Sequence, residues 1–195
     1  MMREKNKNKD AGTIFNPVMY LVVLLLTVQL LLLFVEYRRV AWVSGAVTDS
    51  MTDALLGACT LNREELYQYG ATDELEIRYP EEKYEVFREI LKEELQLSEE
   101  LQVTGKSLPL LSGKVTITDF WIYSVTGGDI TIYTFSPSGS HTKTVMEDAR
   151  GVYTVGNGRV IENTTLVARI GFTVKFFGIP IEVRKYHMVD VTKGG

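Results

Sequence analysis

PVMYLVVLLLTVQLLLLFV, residues 17–35, decides the architecture: the run carries no charge, and only Thr27 and Gln29 are clearly polar. At about 1.5 Å per residue such a helix is ~28 Å long, close to the ~30 Å hydrocarbon core of a bilayer. Tyr20 lies near its start, and Tyr37 and Trp42 follow its end, where interfacial aromatics belong. A buried helix of a soluble domain would show a polar face, and this one shows none. The stretch predicts a single transmembrane helix. Its apolar run exceeds the 7–15 residues of a signal-peptide core. The only small-x-small sequence, Ser44-Gly45-Ala46, lies beyond Arg38 and Arg39. A retained anchor is the better reading.

The flanks set an orientation. Arg3, Lys5, Lys7 and Lys9 precede the run against Glu4 and Asp10, whereas Arg38 and Arg39 follow it. The excess of positive charge predicts a cytoplasmic basic tail over residues 1–16 and an extracytoplasmic C-terminal part, on a single-pass protein of the cell membrane.

Past the membrane the apolar residues keep a helical step. Val40, Val43, Val47, Met51, Leu55 and Ala58 recur three or four apart, with Thr48, Asp49, Thr52 and Asp53 opposite. Residues 36–60 therefore read as an amphipathic stalk whose stripe packs either on the head or on neighbouring subunits. Gln29, an amide placed in hydrocarbon, is a candidate for hydrogen-bonded helix packing. With it, Val40, Val43, Val47, Met51 and Leu55 make up the candidate packing residues.

Residues 61–195 predict an α+β head. Asn62 can cap a short helix with Glu65 completing the capping box, Leu61 and Leu66 standing at the staple positions, and an end near Gly70. A second helix starts at Pro80 and places Tyr84, Phe87, Leu91 and Leu95 on one face. Residues 73–100 hold eleven acids against four bases, which reads as a solvated helix face. Beyond Gly113 the period changes to two, with Val115, Ile117, Trp121, Tyr123 and Val125 alternating. Gly127-Gly128 and Asn157-Gly158 mark hairpin turns. Leu166, Ala168, Ile170, Phe172, Val174 and Phe176 share one face of the cleanest strand, and Gly178 and Pro180 turn the chain into 181–191. The expectation is an antiparallel sheet of about six or seven strands with one wet face.

The composition excludes more than it assigns. Over 195 residues, 45% are apolar and 24% charged, ordinary globular values. A net charge of −4 argues against a nucleic-acid partner. One Cys and two His exclude an internal disulfide and leave too few soft ligands for structural zinc. His141 and His187 stand far apart, each in an expected strand. Cys59 lacks a lipobox or redox partner and reads as a small buried hydrophobe. No serine sits in a G-x-S-x-G elbow, and the glycine pairs lie between strands, as turns do, rather than before a helix, as phosphate cradles do. Asn163-Thr164-Thr165 matches the glycosylation sequon, and Asp49 and Asp53 alone make a weak metal site. No catalytic set, cofactor site or metal site is expected.

The layout resembles a family. A short basic N-terminus, then DAGTIFNPVMYLVVLLLTVQLLLLFVEYRRV and a helix continuing through AVTDSMTDALLGA, is similar to the TadE-like minor pilins (pseudopilins) of Tad-type pilus systems, Gram-positive type. The closing long apolar-faced strand, glycine turn and final strand ending in VDV add to the likeness. The resemblance covers about the first 60 residues and, more loosely, the last 30. It implies a membrane-anchored structural subunit, partnered by other pilin-like subunits or pilus assembly platform proteins. In such prepilins a Gly is followed five residues later by Glu. Here Gly12 is followed at that spacing by Pro17, and no processing site is carried over. The competing function is a membrane-tethered binding module whose sheet recognises a wall polymer or peptide.

Overall fold

The computed structural model describes residues 10–61, 63–72, 75–156 and 158–191. The expected cap Asn62, turn residue Asn157 and basic cluster of residues 3–9 lie outside them. The chain divides into two units, Met1–Ala41 and Trp42–Gly195.

The boundary falls within α1 (Asp10–Ala58), which begins before the expected Pro17 and holds that proline internally. Pro17 is the eighth residue of this helix, past the first-turn amides that lack an intrahelical partner, so it forfeits one internal backbone hydrogen bond. At the far end the Cys59 amide donates to the carbonyls of Leu55 and Leu56, and Thr60 to Gly57, tightening the last turn. Two shorter helices follow, α2 (Arg63–Thr72) and α3 (Pro80–Glu94). Pro80 is preorganised for a first turn, and Glu81 and Glu82 there and Lys92 in the last turn suit the helix dipole.

Five strands form one antiparallel sheet: β1 (Leu111–Thr126), β2 (Asp129–Phe135), β3 (His141–Met146), β4 (Thr165–Phe176) and β5 (Ile179–Asp190), in the order β3-β2-β1-β4-β5. Among the described residues the count is five, not six or seven. The segments expected as strands around 152–155 and 159–161 make a single bridge, Thr154 to Val160. Gly151 and Gly158, both at positive φ, turn the chain too soon for a ladder to grow.

The register of β1 shifts between Ile117 and Asp119. That bulge moves alternating residues to the opposite face. Val115 and Ile117 thus join Phe120 and Ile122 on the helix-covered face, while Trp121, Tyr123 and Val125 point the other way. On the first face Tyr84 stacks on Phe135 at 5.0 Å between ring centroids, and Phe87 lies 5.0 Å from Phe120. Leu91 and Leu95 of the same helical stripe are buried beside them. A Cβ at Gly57 would meet the tip of the Ile90 side chain, so α1 and α3 approach closely there, and a larger residue would have to push that tip aside.

The second face is not simply wet. Tyr123, Val125, Ile130, Ile132 and Val167 pack with Ala149, Val155 and Ile161 from the segment after β3, and Tyr186 and Met188 of β5 close the rim. This small second core corrects the expectation of one solvated face. The connection before α3 is tied to the sheet by polar bonds: the Ile77 amide donates to Ser124 Oγ at 2.9 Å, and Thr164 Oγ1 donates to the Leu75 carbonyl at 2.8 Å.

Candidate functional site

In the first unit, every residue from 18 to 35 except Thr27 and Gln29 is a large apolar side chain, and each of those apolar side chains is exposed. This stretch lies within a helix long and apolar enough to cross a membrane. Thr27 donates its hydroxyl to the Val23 carbonyl at 2.8 Å and so meets its own need. Gln29 is exposed on the helix surface. Beyond the apolar run Arg39 donates to Glu36 at 2.9 Å, placing the first charged pair one residue past Val35.

The candidate packing residues separate into two groups. Gln29 is exposed and Val40 half-buried, whereas Val43, Val47, Met51 and Leu55 are fully buried. Ala54 and Ala58 are buried on the same stripe. Of the two destinations open to this stripe, the structure places Val43 through Ala58 inside the head unit.

The end of α1 carries an arrangement that sequence reading missed. Lys83 Nζ donates to Glu65 Oε2 at 2.8 Å and to the Thr60 carbonyl at 2.7 Å. The Glu65 side chain has no exposed surface and that of Lys83 is 5% exposed. One ammonium thus joins the end of α1, the first turn of α2 and the first turn of α3. Cys59 lies beside it. Burial pushes its thiol up from 9.0 to about 12, the Lys83 ammonium opposes that rise, and the Asp190 carboxylate adds to it. A neutral thiol is a poor nucleophile and a poor metal ligand, and Cys59 is half-buried rather than fully buried as expected. Lys83 read as one more charge of a solvated helix. Its partner stands eighteen residues away, and no local spacing announces the pair.

The two histidines are not brought together. His141 opens β3 at one edge of the sheet and His187 lies in β5 at the other, with β2, β1 and β4 between them. His141 contacts the Phe135 and Tyr133 rings and sits 3.4 Å from Glu81. Among the described residues no group of three or more His, Cys, Asp or Glu could hold a metal ion. A small polar pocket between Tyr69, Arg150, Glu162 and Thr164 occupies one end of the sheet. On the second face Arg169 lies over Trp121 and Tyr186, its carbon 5.4 and 5.9 Å from the ring centroids, and bonds Asp119 at 3.0 Å. That ladder spans β1, β4 and β5 and already fills its own contacts. Tyr123, behind it, has its hydroxyl pKa raised, chiefly by burial.

No family model, no curated protein and no solved structure matches the chain.

Proposed function

We propose that this chain is a membrane-anchored structural subunit, pilin-like in layout, which takes part in building a Tad-type pilus or related secretion machine and acts by helix packing rather than catalysis. The observation that supports it is the apolar surface of residues 18–35, left without protein cover along five helical turns. Each Leu or Val side chain left in water forgoes roughly 1.5–3 kcal/mol of burial. Over so many side chains no small domain offsets that loss, and lipid supplies the missing cover. Neighbouring helices supply it too where they pack.

The burial of Val43, Val47, Met51 and Leu55 inside the head sharpens this reading. These residues join anchor to head within one subunit. Contacts between subunits then run through the apolar segment, where association uses close packing and side-chain hydrogen bonds such as one from Gln29, because lipid tails remove the hydrophobic drive. The N-terminus lies on the cytoplasmic side and the head outside the cell membrane, as the lysine cluster before the anchor requires.

Photo-cross-linkers placed singly at residues 24–32 of the full chain, in its own membrane, test this function. The expected products link one helical face, at three- and four-residue steps, to another single-helix subunit. Uniform absence of protein products would refute it. A gene neighbourhood holding a secretion ATPase and Tad-type platform proteins is the expected setting.

A further inference from the structure

The turn between β4 and β5 is built against two ordinary rules. Turn tips are polar, and left-handed backbone belongs to Gly, Asn or Asp. Here Phe177 takes φ +49° and Gly178 φ +79°. Phe177, Ile179 and Ile181 are 54%, 64% and 44% exposed, with Phe176 edge-on to Phe177. Gln96, Leu101, Leu110 and Asp148 also take positive φ, so what sets this tip apart is the exposure of its large apolar side chains.

The tip is flanked by lysines, while the acids at that end are set back from it: Glu182 across from Thr173, and Glu99 and Glu100 beside the bridge of Gln102 to Lys114. Leu111 pairs with Val174, and the Lys175 amide donates to the Leu110 carbonyl at 2.8 Å, so the loop before β1 lies beside the hairpin. Across residues 104–115 and 173–181 the charged residues are Lys106, Lys114 and Lys175, and none is acidic. All three are exposed. Glu182, the next acid, already pairs with Arg184 at 3.1 Å. The opposite end of the sheet holds Asp129, Glu147, Asp148, Glu162 and Asp190 against Arg150 and Arg159. The apolar tip is therefore flanked by lysines, and the opposite end of the sheet is mainly acidic.

The fold of the head says which end α1 enters. α3 starts just after Ile77, which is bonded to Ser124 near the acidic end, and is followed by Leu97 and Gln102, bridged to Val103 and Lys114 at the other end. Thr60 lies against Lys83 near the start of α3 and Gly57 against Ile90 further along it, so α1 runs antiparallel to α3. Followed backward through the buried Leu55, Met51, Val47 and Val43, α1 therefore leads from the acidic end toward the hairpin end. Trp42, 58% exposed, begins the head on that side. Only residues 36–41 separate Trp42 from the apolar run, a span of at most about 20 Å even if fully extended.

We propose that the β4–β5 hairpin, residues 176–181, with Lys106, Lys114 and Lys175 around it, is a second membrane contact that seats the head on an anionic lipid surface. This rests on residues 17–35 spanning the bilayer. The aromatic and aliphatic tip enters the headgroup layer, and the lysines meet lipid phosphates, the division of labour found in interfacial anchors. A head seated in this way has a fixed orientation, which a subunit needs if it is to present the same faces to each neighbour.

The test uses the full chain in nanodiscs of phosphatidylethanolamine and phosphatidylglycerol, with Cys59→Ala as background. Nitroxide labels at Leu26→Cys, Ile179→Cys and Val152→Cys are compared for access to oxygen and to an aqueous nickel reagent. Label 26 should be lipid-exposed, label 179 should favour oxygen several-fold over label 152, and label 152 should behave as in water. If label 26 is in lipid but label 179 matches label 152, the hairpin contact is wrong and the anchor stands. Shielding of label 179 from both reagents would make the tip a protein contact and overturn the proposal. Water-like behaviour at label 26 would remove the anchor and the proposal together. In phosphatidylcholine alone the preference of label 179 for oxygen should fall, and an unchanged preference would refute the role of the lysines.

Discussion

Replacing Lys83 by Met tests how the head is fastened to the helix that carries it. The substitution keeps the length and apolar stem of the side chain and deletes its charge. Two bonds are lost, the 2.8 Å contact to Glu65 and the 2.7 Å contact to the Thr60 carbonyl. The larger cost lies in what remains, a carboxylate with no exposed side-chain surface facing a thioether. Breaking a buried pair from one side costs about 3–5 kcal/mol. That is a large fraction of the ~5–15 kcal/mol that holds a domain folded. Glu65→Leu should cost a similar amount, because it strands the ammonium.

The double variant, Glu65→Leu with Lys83→Met, removes both charges. Well-packed apolar replacements of such pairs are often neutral or stabilising, so the remaining loss is mainly the Thr60 carbonyl's bond, about 1–3 kcal/mol. At mid-range the double variant should thus recover about half of either single loss. Urea unfolding of the full chain in detergent micelles, followed by tryptophan fluorescence, measures all four proteins. Losses below about 1 kcal/mol in both single variants, or losses that simply add in the double, would refute the view of Lys83 as a desolvated clasp.

Val47→Asp, which buries a charge at a position without exposure, should unfold the head or cost several kcal/mol; urea titration of the micellar protein reads it, and a stable head would deny that the stripe lies inside. Gln29→Leu should leave insertion and head stability unchanged and weaken association by about 1 kcal/mol or less, read by cross-linking yield at matched expression. Cys59 should resist iodoacetamide at pH 8–9 in the folded head and react once unfolded. Its folded pKa lies above the ordinary 9.0, at about 12, so the unfolded chain loses its proton first. Its contribution to stability is therefore complete below pH 9 and declines as pH rises from 9 toward 12.

The sequence disclosed elements whose signals are local. The apolar run of 17–35, the stripe through Leu55, the face Tyr84–Phe87–Leu91–Leu95 and the strand 166–176 each repeat with the period of their own structure. What stayed hidden depends on distant partners. One extra residue between Ile117 and Asp119 reassigns half of β1, and nothing in the alternation marks it. The second core was hidden because its cover, Ala149, Val155 and Ile161, comes from a segment with a single bridge and no ladder. Lys83 sat among acids that are solvated, so its own burial left no trace. The hairpin tip did carry a signal: Phe176-Phe177-Gly178-Ile179-Pro180-Ile181 is apolar where turns are polar, but it read as strand flanking a glycine.

The proposed function and the hairpin contact both depend on the proposed anchoring of residues 17–35 in a membrane with the head outside. Protease added to intact protoplasts, followed by alkaline carbonate extraction, tests it in one experiment. The head should be digested, and a fragment holding the N-terminus and the apolar run should stay with the membrane pellet. A head protected from protease, or a full-length chain released by carbonate, would contradict the account.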